Sequence, residues 1–216
     1  MAAKKWIDLR KHLDLVTFPW LSIGYGIARS ERRLATFTDD EHQQIGYDAG
    51  RFKDREEWRW YNTITKGVPV NGFIVPLNEA QDITGWENRT DEPVWVANKS
   101  MKHFEALQDW VQRMRCFQTT GRQVFFIQFN GHQTTPHVDI KLNTEESGWR
   151  KEPIEFIWLS TNVDGKRMVI DGTKVDSQCI WFDNTIPHWT EKADRTRWSY
   201  RIEGKFTDEF KRKIGM

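Results

Sequence analysis

The sequence predicts a mainly β chain with flanking helices, its β part closing into a sandwich or barrel. Three observations carry this reading. After Gly121, short runs rich in Val, Ile, Phe and Trp follow one another at 8–15-residue spacing. Turn signals separate those runs. The clearest helical period lies before them, not among them.

Residues 1–66 are mixed and charged, and Glu41–Gly46 and Lys53–Tyr61 read as short helices. Val68–Pro76 reads as strand and turn pieces. Ser100 is an expected N-cap, because a hydroxyl there can accept from the free N–H groups of a first turn. Met101, Phe104, Leu107, Val111 and Met114 then repeat at helical spacing, so a helix is expected over 101–115, stopped near Thr120-Gly121. Strands are expected at Gln123–Phe129, Pro136–Asn143, Ile154–Asn162, Arg167–Ile170, Ser177–Asp183 and Thr196–Phe206. Val163-Asp-Gly-Lys166 is read as the turn of a hairpin that joins the third of these to the fourth. No Pro/Gly/Ser linker divides the chain. It is expected to be a single domain over 1–216, with a helical or mixed part at 1–120 packed on a core at 121–207.

Composition narrows the function classes. The 32 basic and 31 acidic residues leave a formal charge of +1, and nothing basic and clustered points to nucleic acid or an anionic membrane. No run of 18 apolar residues exists, and no apolar stretch near the N-terminus resembles a signal peptide. The two cysteines, Cys116 and Cys179, form neither a disulfide framework nor a zinc motif, so a reducing, cytoplasmic setting is expected. Twelve Trp in a chain with 29% charged residues must sit in a core or a cleft. Trp158, Trp181, Trp189 and Trp198 are open to either place.

Metal chemistry is suggested by His-x-Asp/Glu pairs, of which there are three: His12-x-Asp14, His103-x-Glu105 and His137-x-Asp139. Six His among 31 acids in 216 residues predict about one such pair by chance. His103 and Glu105 lie in the expected helix, where two residues turn through about 200° and the side chains diverge. His12 and Asp14 sit among charged residues with no later partner. His137 and Asp139 fall in an alternating segment, which sends both side chains from one face of a strand. Fifty-one residues after His137 comes His188, in Asp183-Asn-Thr-Ile-Pro-His-Trp. Two His and one carboxylate occupy one face of an octahedral ion and leave the other face for oxygen and a chelating co-substrate. Nine residues further on, Arg197-Trp-Ser199-Tyr-Arg201 places Arg197, Ser199 and Arg201 on one strand face. An inward arginine needs an anion, and a dicarboxylate ligand supplies one.

His137-x-Asp139, His188 and Arg197-x-Ser199, in that order and spacing, resemble the Fe(II)/2-oxoglutarate-dependent dioxygenase superfamily over about Gln123–Phe206. Among its branches, the aspartyl/asparaginyl β-hydroxylase and proline hydroxylase-like group is the most similar. The resemblance implies a double-stranded β-helix (jelly-roll, cupin-like) core. It further implies Fe(II) on His137, Asp139 and His188, and 2-oxoglutarate as co-substrate with Arg197 and Ser199 at its far carboxylate. Arg201 competes for that role, with Arg195 more distant, and Gln128 or Asn130 is a candidate hydrogen-bonding partner. The implied reaction oxidises a C–H bond of an amino acid, peptide or protein side chain with molecular oxygen, releasing succinate and CO2. A cupin-like barrel acting as a metal-dependent isomerase or binding protein is the alternative, since it needs the triad but not Arg197.

Overall fold

The computed structural model describes residues 4–23, 59–65, 68–80, 94–97, 101–128, 131, 133–139, 154–160, 168–192, 194 and 197–216. Strands β1 (Trp6–Asp8), β2 (Arg59–Thr65), β3 (Val68–Pro76), β4 (Asn78–Ala80) and β5 (Trp95–Ala97) precede a 3-10 turn at Met101–Phe104 and helix α1 (Glu105–Met114). Then come β6 (Phe117–Gln128), β7 (Phe156–Ser160), β8 (Met168–Ile170), β9 (Thr173–Val175), β10 (Cys179–Phe182), β11 (His188–Thr190), β12 (Arg197–Phe206) and helix α2 (Asp208–Ile214).

A seven-stranded sheet runs β1-β10-β7-β12-β6-β3-β2, and a three-stranded sheet runs β11-β8-β9. The short segment around His137 joins the free edge of β11 through a single antiparallel bridge, His137 to His188. Counted from β6, with this segment as the second strand, first pairs with last (β6 with β12) and second with seventh. Third pairs with sixth (β7 with β10) and fourth with fifth (β8 with β9). That nesting is one long hairpin rolled into two sheets, the double-stranded β-helix or jelly roll.

The large sheet is covered on its outer face by α1 and the N-terminal segment. Leu107 and Trp110 are buried there with Leu9, Leu13 and Phe18. Phe104 meets Phe125 at 4.9 Å between ring centroids, and Phe18 meets Trp110 edge-on at 4.9 Å. A polar knot in this layer is satisfied: Tyr200 Oη and Gln108 Nε2 both donate to Gln123 Oε1, at 2.7 and 2.9 Å. Trp110 likewise donates Nε1 to the Asp14 carbonyl at 2.8 Å. With one face closed by helix and loop, β12 can alternate apolar side chains outward with polar ones inward.

Several expectations are corrected. The helix stops at Met114, because Arg115 takes a left-handed conformation (φ 49°) as its C-cap. Residues 117–121, expected to end the helix, instead open β6. The two strands that a hairpin across 163–166 was expected to pair lie apart, β7 in the large sheet and β8 in the small one. The hairpin is β8–β9, turned by Asp171-Gly172 with φ of 47° and 76°, the paired positive values of a type I′ turn. Arg59–Tyr61, read as the end of a helix, begins β2. Helix α2 was not expected, although Thr207 caps it by accepting from Phe210 N at 3.1 Å, with Asp208 and Glu209 in its first turn. Glu41–Gly46, Ser100, Asn130, Val163–Lys166 and Arg195 lie outside the described residues. Among those described, no helix is long and apolar enough to cross a membrane.

Two measurements test the packing. A Cβ on Gly204, beside a register shift in β12, would stand 2.3 Å from the Thr119 carbonyl oxygen and 2.8 Å from Phe117 Cδ1. Gly204→Ala should therefore destabilise the protein by about 3 kcal/mol in urea titration, since backbone cannot yield as a side chain would. Burial pushes the Cys116 thiol up to about 12 and raises Cys179 as well. Neither should react with iodoacetamide at pH 8 until denaturant is added, when both should.

Candidate metal centre

The triad forms where the edge of the small sheet meets the Asp183–Pro187 turn. Asp183 shapes that turn by accepting from Thr185 N at 2.9 Å, and its carbonyl accepts from Ile186 N at 3.4 Å. Asn184, fully buried, works in two directions: its carbonyl accepts from Asp139 N at 3.1 Å and its Oδ1 from Ile154 N at 3.0 Å. One residue after Pro187, His188 exchanges backbone hydrogen bonds with His137, N–H to O at 2.9 and 3.1 Å. Thr134 and Thr190 extend the pairing through a 2.7 Å bond from Thr190 N to Thr134 Oγ1.

The sequence expects His137 and Asp139 on a regular strand over 136–143. The structure has only the one bridge at His137, and residues 140–143 lie outside the described set. The side chains converge nonetheless. Asp139 Oδ1 lies 3.6 Å from His137 Nε2 and 3.3 Å from His188 Nε2. For metal bonds of about 2.1 Å, ligands at right angles stand about 3 Å apart, so the spacing is close to that of three donors on one ion.

Both imidazoles are oriented the same way. His137 Nδ1 is 2.8 Å from the Thr135 carbonyl and His188 Nδ1 is 3.0 Å from the Ile186 carbonyl. A carbonyl only accepts, so each Nδ1 carries a proton and each Nε2 is the ring atom turned to Asp139, a hydrogen-bond donor to that carboxylate while protonated and a lone-pair donor to an ion once that proton is displaced. Two imidazole Nε2 atoms and one carboxylate oxygen are a donor set that suits a divalent ion with open positions. Side-chain exposure is 4% for His188, 24% for Asp139 and 44% for His137, so access is from the His137 side.

Electrostatics favour an ionised carboxylate. Burial alone pushes the Asp139 carboxyl up, but hydrogen bonds from His137 and His188 and the charge of Arg201 outweigh it and hold it far below the usual range. The hydrogen bond to Asp139 raises His137 against the opposing effect of burial. Arg201 Nη1 donates to Asp139 Oδ2 at 2.5 Å.

The remaining candidates line the inner face of the large sheet. Arg197 stands opposite Gln128, Ser199 opposite Phe126 and Ser160, and Arg201 opposite Val124 and Trp158. Arg197 Nε donates to Gln128 Oε1, and Nη2 donates to the Glu191 carbonyl at 3.1 Å. Arg201 instead meets two carboxylates, Asp139 and Glu203. Trp181 and Trp198 belong to the core: Trp181 donates Nε1 to the Ile154 carbonyl at 3.0 Å, and Trp198 packs on Trp20 and Phe125. Trp158 alone of the four is placed opposite a site residue on the inner face.

His12 and Asp14 form no metal cluster: Asp14 is used in a turn, accepting from Val16 N at 3.1 Å and Thr17 Oγ1 at 2.7 Å. His103 and Glu105 fall on the 3-10 turn and at the start of α1. Sequence reasoning missed Asn184, the Thr135 and Ile186 carbonyls, Phe156, Phe182 and Glu203. Only Glu203 had a signal, sharing the strand face of Arg201.

Asp139→Ala should destabilise the metal-free protein by about 2 kcal/mol in urea with chelator present, because it strips a partner from the buried Arg201 guanidinium. His137→Ala, at an exposed position, should change it by less than about 1 kcal/mol. Equal losses for the two variants would contradict this division.

No protein-family model and no curated protein matches the chain. Three solved structures are similar to it at low identity. An oxidoreductase of the 2OG-Fe(II) oxygenase family from Burkholderia pseudomallei has 10% identity and a TM-score of 0.44, covering 69% of this chain and 73% of that one. A Pseudomonas putida prolyl-4-hydroxylase has 14% identity and a TM-score of 0.42, covering 95% and 93%. A viral collagen prolyl hydroxylase from Paramecium Bursaria Chlorella virus-1 has 10% identity and a TM-score of 0.35, covering 51% and 78%. These are distant likenesses that assign no activity, and what the chain itself presents is a jelly roll with a His-Asp-His cluster at its mouth.

Proposed function

We propose that this protein is an Fe(II)- and 2-oxoglutarate-dependent oxygenase. The observation that carries the reading is the meeting of His137 Nε2, His188 Nε2 and Asp139 Oδ1, all within 4.8 Å of one another, with both imidazoles held by their Nδ1 atoms. Three protein ligands without sulfur suit Fe(II) and leave positions for a bidentate 2-oxo acid and oxygen. Iron, when bound, supplies the oxidising chemistry that inserts one oxygen atom into a C–H bond while 2-oxoglutarate is converted to succinate and CO2.

The chain's own residues bind and orient. Arg201 is turned to Asp139 and Glu203, so Arg197 is the proposed clamp for the far carboxylate of 2-oxoglutarate. Gln128 accepts from Arg197 Nε and thereby fixes the plane of its guanidinium, and Ser199 shares its strand face. An inward arginine nine residues after the second histidine favours the oxygenase over a cupin-like isomerase, which has no need of a dicarboxylate. The proposed primary substrate is an amino acid or a peptide side chain.

The test is succinate formation from 2-oxoglutarate with Fe(II), screened against amino acids and peptides and read by a mass gain of one oxygen. His137→Ala should abolish turnover. Arg197→Gln should raise the KM for 2-oxoglutarate roughly 10–100-fold, the loss of a charge-assisted pair, while leaving metal affinity unchanged. Metal binding with no 2-oxoglutarate consumption would instead favour the cupin-like alternative.

A further inference from the structure

The inner face of the large sheet holds a second charged group beside the metal ligands, and its contacts differ from those of a co-substrate clamp. Arg201 is buried, 9% exposed, and its guanidinium is held from three sides. Nη1 donates to Asp139 Oδ2 at 2.5 Å. Nε stands 2.9 Å from Glu203 Oε1, in an ion pair whose angle makes no hydrogen bond. The guanidinium carbon lies 4.2 Å from the centroid of Phe156, whose ring meets Phe182 edge-on at 4.8 Å. Phe182 in turn contacts the His188 ring at 4.7 Å. Arg201 thus touches one ligand directly and reaches a second through two aromatic rings.

We infer that Arg201 is a positioning residue that pins Oδ2 of Asp139, so that only Oδ1 is presented to the metal between His137 and His188. This rests on the metal-centre reading above. A carboxylate free at both oxygens can rotate and chelate an ion through the pair, occupying a position that a single oxygen leaves open. With Oδ2 taken by a guanidinium, rotation breaks a charge-assisted hydrogen bond and leaves a buried cation facing one fewer anion. Oδ1 is the oxygen nearer both Nε2 atoms, at 3.6 and 3.3 Å, as a one-oxygen ligand requires. Glu203 and Phe156 fix the arginine, and the backbone bond from Asp139 N to the Asn184 carbonyl fixes the other end of the aspartate. Arg201 acts on the metal only through Asp139.

The experiment measures Co(II) binding by the full chain without 2-oxoglutarate, by titration and by visible absorption, with folding checked by near-ultraviolet circular dichroism. Arg201→Met should weaken Co(II) binding roughly 10–100-fold and shift the absorption bands as Oδ2 becomes free to bind. Arg201→Lys should recover part of the affinity, since an ammonium can reach one carboxylate oxygen but not hold a plane. A folded Arg201→Met protein with wild-type affinity and spectrum overturns the proposal. If the methionine variant does not fold, the lysine variant decides: a severalfold weaker site with shifted bands supports the role, and a wild-type site overturns it. His137→Ala separates this from the reading beneath it. Co(II) bound equally by wild type and His137→Ala removes the metal centre itself, whereas loss in His137→Ala with no change in the Arg201 variants removes only the arginine's role.

Discussion

The reciprocal backbone bonds between His137 and His188 hold the site together. They join the second and seventh strands of a rolled hairpin at one residue pair, and that pair carries two of the three donors. Because the bridge is antiparallel, both imidazoles leave the mouth of the roll side by side, with ring centroids 4.5 Å apart. Asp139 follows one strand two residues later and is tied to the Asn184 carbonyl in the turn that leads into the other. A pair two residues apart and a histidine 51 residues later are therefore set together by main-chain bonds, and such preorganisation lowers the entropy a ligand set loses on binding an ion.

Beside this bridge the protein buries the charge of Arg201 against two part-exposed carboxylates. Asp139, Arg201 and Glu203 alternate in sign along the inner wall, and the outer wall of the same sheet is apolar under α1. Burial lowers the Arg122 guanidinium, with Glu203 opposing that shift, so the alternation extends to the neighbouring strand. Such a chain is held only while every member keeps a partner, because a lone buried charge costs several kcal/mol. This gives the inner face a fixed arrangement of donors, and Phe156 and Phe182 fill the space between it and His188. The apolar outer layer, from Phe104 through Phe125 to Trp198, keeps β6 and β12 in register while their inner faces carry polar groups.

What could be read from the chain follows local physics. Period-2 alternation in Arg197–Phe206 and the helical spacing of Met101–Met114 were legible, because each depends on neighbours two to four residues away. The hairpin was misplaced for the same reason. Val163-Asp-Gly-Lys166 and Asp171-Gly172 carry the same Asp-Gly signal, and local sequence cannot say which pair of flanking strands shares a sheet. Regular alternation through Pro136–Asn143 led to the candidate pair by an incomplete route. His137 and Asp139 converge through one bridge and a contact to the Asn184 carbonyl.

The sequence by itself determined the candidate ligand types, their order and the strand face shared by Arg197, Ser199 and Arg201, since covalent spacing and backbone period set these. Only the tertiary structure decided which arginine faces Asp139 of the candidate site. Both arginines point inward from β12, and nothing within a few residues distinguishes them. The rolled hairpin brings Asp139, 62 residues before Arg201 in the chain, against its guanidinium, and sets Gln128 against Arg197. Distance in sequence carries no information about which of two equivalent charges a carboxylate will meet; strand pairing supplies it.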